Sequence, residues 1–68
     1  MSFIALTECE PYVHKPVRTV YVRPDHIIRI AAVEKNLYTT ISVTGGDLDV
    51  VETPEEILRR INGATVNR

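Results

Sequence analysis

Thr39-Thr40-Ile41-Ser42-Val43-Thr44-Gly45-Gly46-Asp47-Leu48-Asp49-Val50-Val51-Glu52-Thr53-Pro54-Glu55-Glu56-Ile57-Leu58-Arg59-Arg60-Ile61-Asn62-Gly63 reads as strand, tight turn, strand and capped helix. Period-2 alternation puts Ile41 and Val43 toward a core and Thr40, Ser42 and Thr44 toward water. Beyond the turn, Leu48 and Val50 point in, while Asp47, Asp49 and Val51 point out. Gly45-Gly46 supplies the positive φ angles of a two-residue primed turn, which predicts a hairpin. At Thr53 the spacing becomes helical. Thr53 is placed to accept from the Glu56 amide while the Glu56 side chain reaches back, and Pro54 occupies the first helical position, where its missing donor is harmless. Ile57, Leu58 and Ile61 form one stripe, and Gly63 suits a left-handed C-cap, giving a helix over 54–62. A helix of that length does not persist alone in water, so it must dock on the sheet.

Working outward, Ile27 to Glu34 alternates with Ile28, Ile30 and Ala32 on one face and Arg29 on the other. Glu34-Lys35-Asn36 links it to a strand over Leu37 to Thr44. Val17 to Val22 is rich in β-branched and aromatic residues, a further strand, and Arg23-Pro24-Asp25-His26 turns the chain. Phe3 to Thr7 is the first strand. The segment Glu10 to Pro16 holds Pro11 and Pro16, each lacking a backbone donor, and reads as a loop. The expected fold is α+β: a small antiparallel sheet of four to five twisted strands with one C-terminal helix packed on one face. Its core is expected to hold Ile4, Leu6, Val20, Val22, Ile28, Ile30, Ile41, Val43, Leu48 and Val50. The 68 residues form one domain, with 1–2 and 64–68 expected to fray.

A chain this short buries only about 60% of the surface that it exposes when unfolded, so its core is thin. Cys9 is the one cysteine and excludes an intramolecular disulfide. Apolar runs such as Ile30-Ala31-Ala32-Val33 are far below the ~20 residues of a membrane span. A cytoplasmic protein with no membrane partner is the expectation. The formal charge of -1 gives no long-range field that would select nucleic acid or an anionic surface. Exposed strand edges in so small a sheet favour a homodimer or larger homo-oligomer.

The search for chemistry finds little. Cys9, His14 and His26 are too few and too scattered for a structural zinc site, and no cofactor or metal is expected. Asp47, Asp49, Glu52, Glu55 and Glu56 cluster in sequence, but the outward set of a strand and a helix start explain them. Gly45-Gly46 lacks the lysine of a phosphate loop. An enzyme is not expected. The constellation with functional character is Arg18, Tyr21, Arg23 and Arg29, with Lys15 and Tyr12 nearby. Arginine and tyrosine on strands anchor protein interfaces, which makes a protein partner the first reading. The alternative is a nucleic-acid-associated regulator in which the arginines hold phosphates and Tyr21 stacks on a base.

Val20-Tyr21-Val22-Arg23-Pro24-Asp25-His26-Ile27-Ile28-Arg29-Ile30, Thr40 to Gly46 and Val50 to Ile57 together resemble the flagellar FlbD-like family and small uncharacterised phage or prophage proteins. The resemblance spans Val20 to Ile61. It mostly repeats the architecture and brings no functional residue with it.

Overall fold

The computed structural model describes residues 3–11, 15–34 and 37–66. In chain order its elements are β1 (Ile4–Glu10), β2 (Lys15–Val22), a 3₁₀ turn (Pro24–His26), β3 (Ile27–Val33), β4 (Tyr38–Val43), β5 (Gly46–Val50) and α1 (Pro54–Val66). The five strands form one antiparallel sheet in the order β2-β1-β5-β4-β3. This is the α+β fold that the alternation and the capped helix predict. Among the described residues, no helix is long and apolar enough to cross a membrane.

The connection from β2 to β3 shapes the sheet. These strands lie at opposite edges, separated by four strand spacings of ~4.8 Å, or ~19 Å across a flat sheet. The five links from Val22 to Ile27 reach at most ~17 Å when fully extended, and Pro24–His26 is a 3₁₀ turn, which rises only ~2 Å per residue. The sheet therefore rolls. Among the described residues, the β1–β2 hairpin and the β3–β4–β5 meander meet in the ladder only at Glu8 opposite Val50. Between them and α1 sits a core of Ile4, Leu6, Ile41, Val50 and Ile57, with Val20, Val22, Ile27, Ile30, Val43, Leu48 and Ile61 packed around it.

Several expectations are corrected. Ile28 is not in the core: it is 73% exposed. The β3–β4 register passes from Ile27 opposite Val43 to Arg29 opposite Ser42, so Ile28 is the extra residue of a β-bulge. The bulge resets the alternation and lets Ile27 join Ile30 on the core side. Leu58, expected in the helix stripe, is 50% exposed, while Ile57 and Ile61 carry the packing. Thr39 is fully buried on the core face beside Ile41. Tyr38, which begins β4 one residue after the expected Leu37, is buried too.

Lys15 and Pro16 belong to β2 rather than to a loop, with Pro16 opposite Cys9. An edge strand tolerates proline because its outward side needs no donor. The hairpin turn lies one residue earlier than the glycine pair suggests: Val43 pairs with Gly46, and Thr44 and Gly45 are the loop. Only Gly45 of these two has a positive φ, 101°, so the turn is not the primed type that needs it at both positions. The capping box forms as expected: the Glu56 amide donates to Thr53 Oγ1 at 3.2 Å and the Thr53 amide to Glu56 Oε1 at 3.0 Å. Gly63 does not end the helix, which continues through Ala64 to Val66. Of the residues expected to fray, 64–66 belong to α1, and 1–2 and 67–68 lie outside the described residues.

Candidate functional site

The 3₁₀ turn separates two depressions. One, of about 270 Å³, is lined by Phe3, Tyr21, Val22, Arg23, His26, Val43, Thr44 and Leu48. Rolling of the sheet makes it, because it joins the start of β1 and end of β2 to the end of β4. Phe3 and Tyr21 stand 57% and 70% exposed on it. The second, of about 460 Å³, runs between β3 and α1 and is lined by Pro24, Ile27, Ile28, Arg29, Ile30, Pro54, Leu58 and Ile61. Its exposed apolar groups are the bulged Ile28 and Leu58.

The four sequence-predicted residues do not line one depression. Tyr21 and Arg23 line the first depression and Arg29 the second, while Arg18 lines neither. Arg18 Nε donates to Glu8 Oε1 across the β1–β2 pair at 2.6 Å. Arg23 Nη2 donates to Asp25 Oδ2 at 3.1 Å. The Arg23 Nε is buried with no hydrogen-bond partner among the described residues. Tyr12 and His14 lie outside the described residues. Among the described residues, no group of three or more histidine, cysteine or acidic side chains is gathered as a metal would require.

The residue that sequence reasoning misjudged is Glu52. Read only as part of an acidic cluster, it is 7% exposed and joins β1 to α1. Its carboxylate accepts from the Thr7 amide at 2.9 Å and 3.1 Å and from the Thr7 hydroxyl at 3.0 Å. Arg60 Nη1 donates to it at 3.2 Å and to the Ala5 carbonyl at 2.7 Å. Burial pushes the Glu52 carboxyl upward, yet the bonds from Thr7 and Arg60 together outweigh it and hold the carboxyl below its usual range. Glu52 and Arg60 thus satisfy the side of β1 that β5 leaves bare. Two other acids of the cluster have local partners: Asp49 accepts from the Thr40 hydroxyl at 2.8 Å, and Glu56 caps the helix.

Cys9 is buried. Burial first, then the negative charges of Asp49, Glu52 and Glu8, push its thiol up, the opposite of what a thiolate nucleophile requires. Compared with protein-family models, with curated proteins and with solved structures, the chain matches none.

Proposed function

We propose that this chain is a small non-enzymatic interaction protein, of the FlbD-like or phage-encoded kind, that docks a protein partner at the depression flanked by Phe3 and Tyr21. The observation that carries this reading is Tyr21, a large amphipathic ring 70% exposed on a depression that Arg23 also lines. Tyrosine and arginine dominate the energetic centres of protein interfaces, where a rigid ring covers area at small entropic cost. The partner offers an apolar side chain to Phe3 and Tyr21 and a carbonyl or carboxylate to Arg23. Arg18 already pairs with Glu8, which weakens the nucleic-acid alternative, since phosphate binding draws on unpaired cations.

The test replaces Tyr21 with a photo-crosslinking benzoylphenylalanine in the source cell. One discrete protein adduct, lost on Arg23→Glu and retained on Arg18→Glu, is the expected result. Absence of an adduct, or one indifferent to Arg23→Glu, overturns the reading. Salt-dependent binding of mixed-sequence single-stranded DNA would replace it with the nucleic-acid alternative.

A further inference from the structure

The two edges of the sheet are protected very differently. On β2 the edge carries Lys15, Pro16 and Arg18, and a register shift leaves Val17 without a ladder partner. Charge, proline and bulge are the devices by which proteins keep an edge from pairing with another chain. On β3 the bulge and the charge of Arg29 fall at one end, and the remainder, Ile30-Ala31-Ala32-Val33, has neither charge nor proline. That segment is in regular register with β4, from Ile30 opposite Ile41 to Val33 opposite Tyr38. Its other side has no strand neighbour among the described residues. Alongside it runs the apolar groove with Ile28 and Leu58 on its walls.

We infer that β3 is a self-association edge, and that a second copy of this chain pairs its own β3 antiparallel to it. Such an edge is complementary to itself through its backbone, and a twofold axis perpendicular to the sheet sets residues of equal parity opposite one another. With the axis at Ala31, Ala31 meets Ala31 of the second copy, Ile30 meets Ala32, and Arg29 meets Val33. No like charges face each other across the pair. The same operation on β2 would bring Pro16 and the cations Lys15 and Arg18 into the interface. The axis also keeps both helices on one face of the joined sheet, so the second copy's β3 and α1 approach the groove that holds Ile28 and Leu58. The thin core of a 68-residue chain thereby gains apolar cover. This inference is independent of the Tyr21 site, which lies across the 3₁₀ turn.

The test measures the mass of the purified protein by light scattering over a wide concentration range, for the wild type, Ala32→Lys and Leu58→Glu. Ala32 and Leu58 are both exposed, so neither change disturbs the core. The wild type is expected to reach about twice its 7.7 kDa as concentration rises, and both variants to stay near that value. In a Cys9→Ala background, Ala31→Cys should form a disulfide-linked dimer on mild oxidation, and Thr19→Cys on β2 should not. A wild type that stays monomeric at millimolar concentration overturns the inference. So does a dimer that survives both variants and cross-links through residue 19 instead of 31.

Discussion

Glu52 and Thr7, 45 residues apart in sequence, share three hydrogen bonds: the Thr7 amide donates to both carboxylate oxygens and its hydroxyl donates to Oε2. A side chain thus occupies the place where a neighbouring strand would supply carbonyls. The Val51 amide, donating to the Thr7 carbonyl at 2.9 Å, completes the junction.

Removing the carboxylate should therefore be costly. Glu52→Ala leaves the Thr7 amide without an acceptor and strips Arg60 of its ion pair, with an expected loss of about 1–3 kcal/mol. Glu52→Gln, which keeps one acceptor oxygen, should lose less. Urea denaturation of both variants measures this, and equal stability of Glu52→Ala and wild type would contradict it.

Acid should loosen the same junction. The Glu52 carboxyl is lower in the folded protein than in the unfolded chain, where carboxyls titrate near ~4.3, so the folded state binds that proton more weakly. The resulting stabilisation is fully present above the unfolded value and disappears as pH falls through the lowered folded one. Unfolding midpoints between pH 7 and pH 3 should fall more steeply for the wild type than for Glu52→Gln.

Ile28 and Ile41 differ in what truncation removes. Ile28→Ala should change stability by less than about 0.5 kcal/mol, because its side chain lies in solvent on the bulge. Ile41→Ala, at a fully buried position, should cost about 2–5 kcal/mol. Because Ile28 borders the proposed dimer groove, the comparison belongs at protein concentrations where the chain is monomeric.

Gly63 lies within α1, with nothing near the position that a Cβ would take. Gly63→Ala should stabilise the domain by about 0.5–1 kcal/mol through lower backbone entropy in the unfolded chain. Thermal unfolding would register it as a rise in Tm.

The Cys9 thiol should react sluggishly. Its burial and the surrounding acids favour the protonated form, so a disulfide reagent at pH 8 should label the folded protein far more slowly than the denatured one. The preference for the proton stabilises the fold below the unfolded thiol value of ~8.5 and is lost as pH rises through the higher folded value.

Thr53 and Glu56 show what was legible in the sequence. A capping box is local, so four residues suffice to announce it, and the alternation around Gly45 announces its hairpin equally well. Ile28 was not legible, because a bulge depends on the partner strand: one inserted residue exchanges the inward and outward sets without changing composition. Lys15 and Pro16 were excluded from a strand on grounds that hold for central strands, and nothing local says that β2 is an edge. Gly63 was expected to stop a helix that runs past it to Val66. Of the arginines and tyrosine read as one face, Tyr21 and Arg23 stay together at the end of β2, whereas the strand order puts Arg29 on the opposite edge. Glu52 was hidden among other acids, since its burial depends on a strand more than forty residues earlier.

The single ladder contact between Glu8 and Val50 bears on how the chain acquires its shape. The meander and its following helix need only short loops to close, whereas joining β1 to them requires closure over some forty residues, which is slower. The amino-terminal hairpin is therefore expected to join the meander and helix late in folding. Substitutions at the Thr7–Glu52 junction should accordingly speed unfolding and leave the refolding rate almost untouched, whereas changes in the Val43–Gly46 turn should act mainly on refolding.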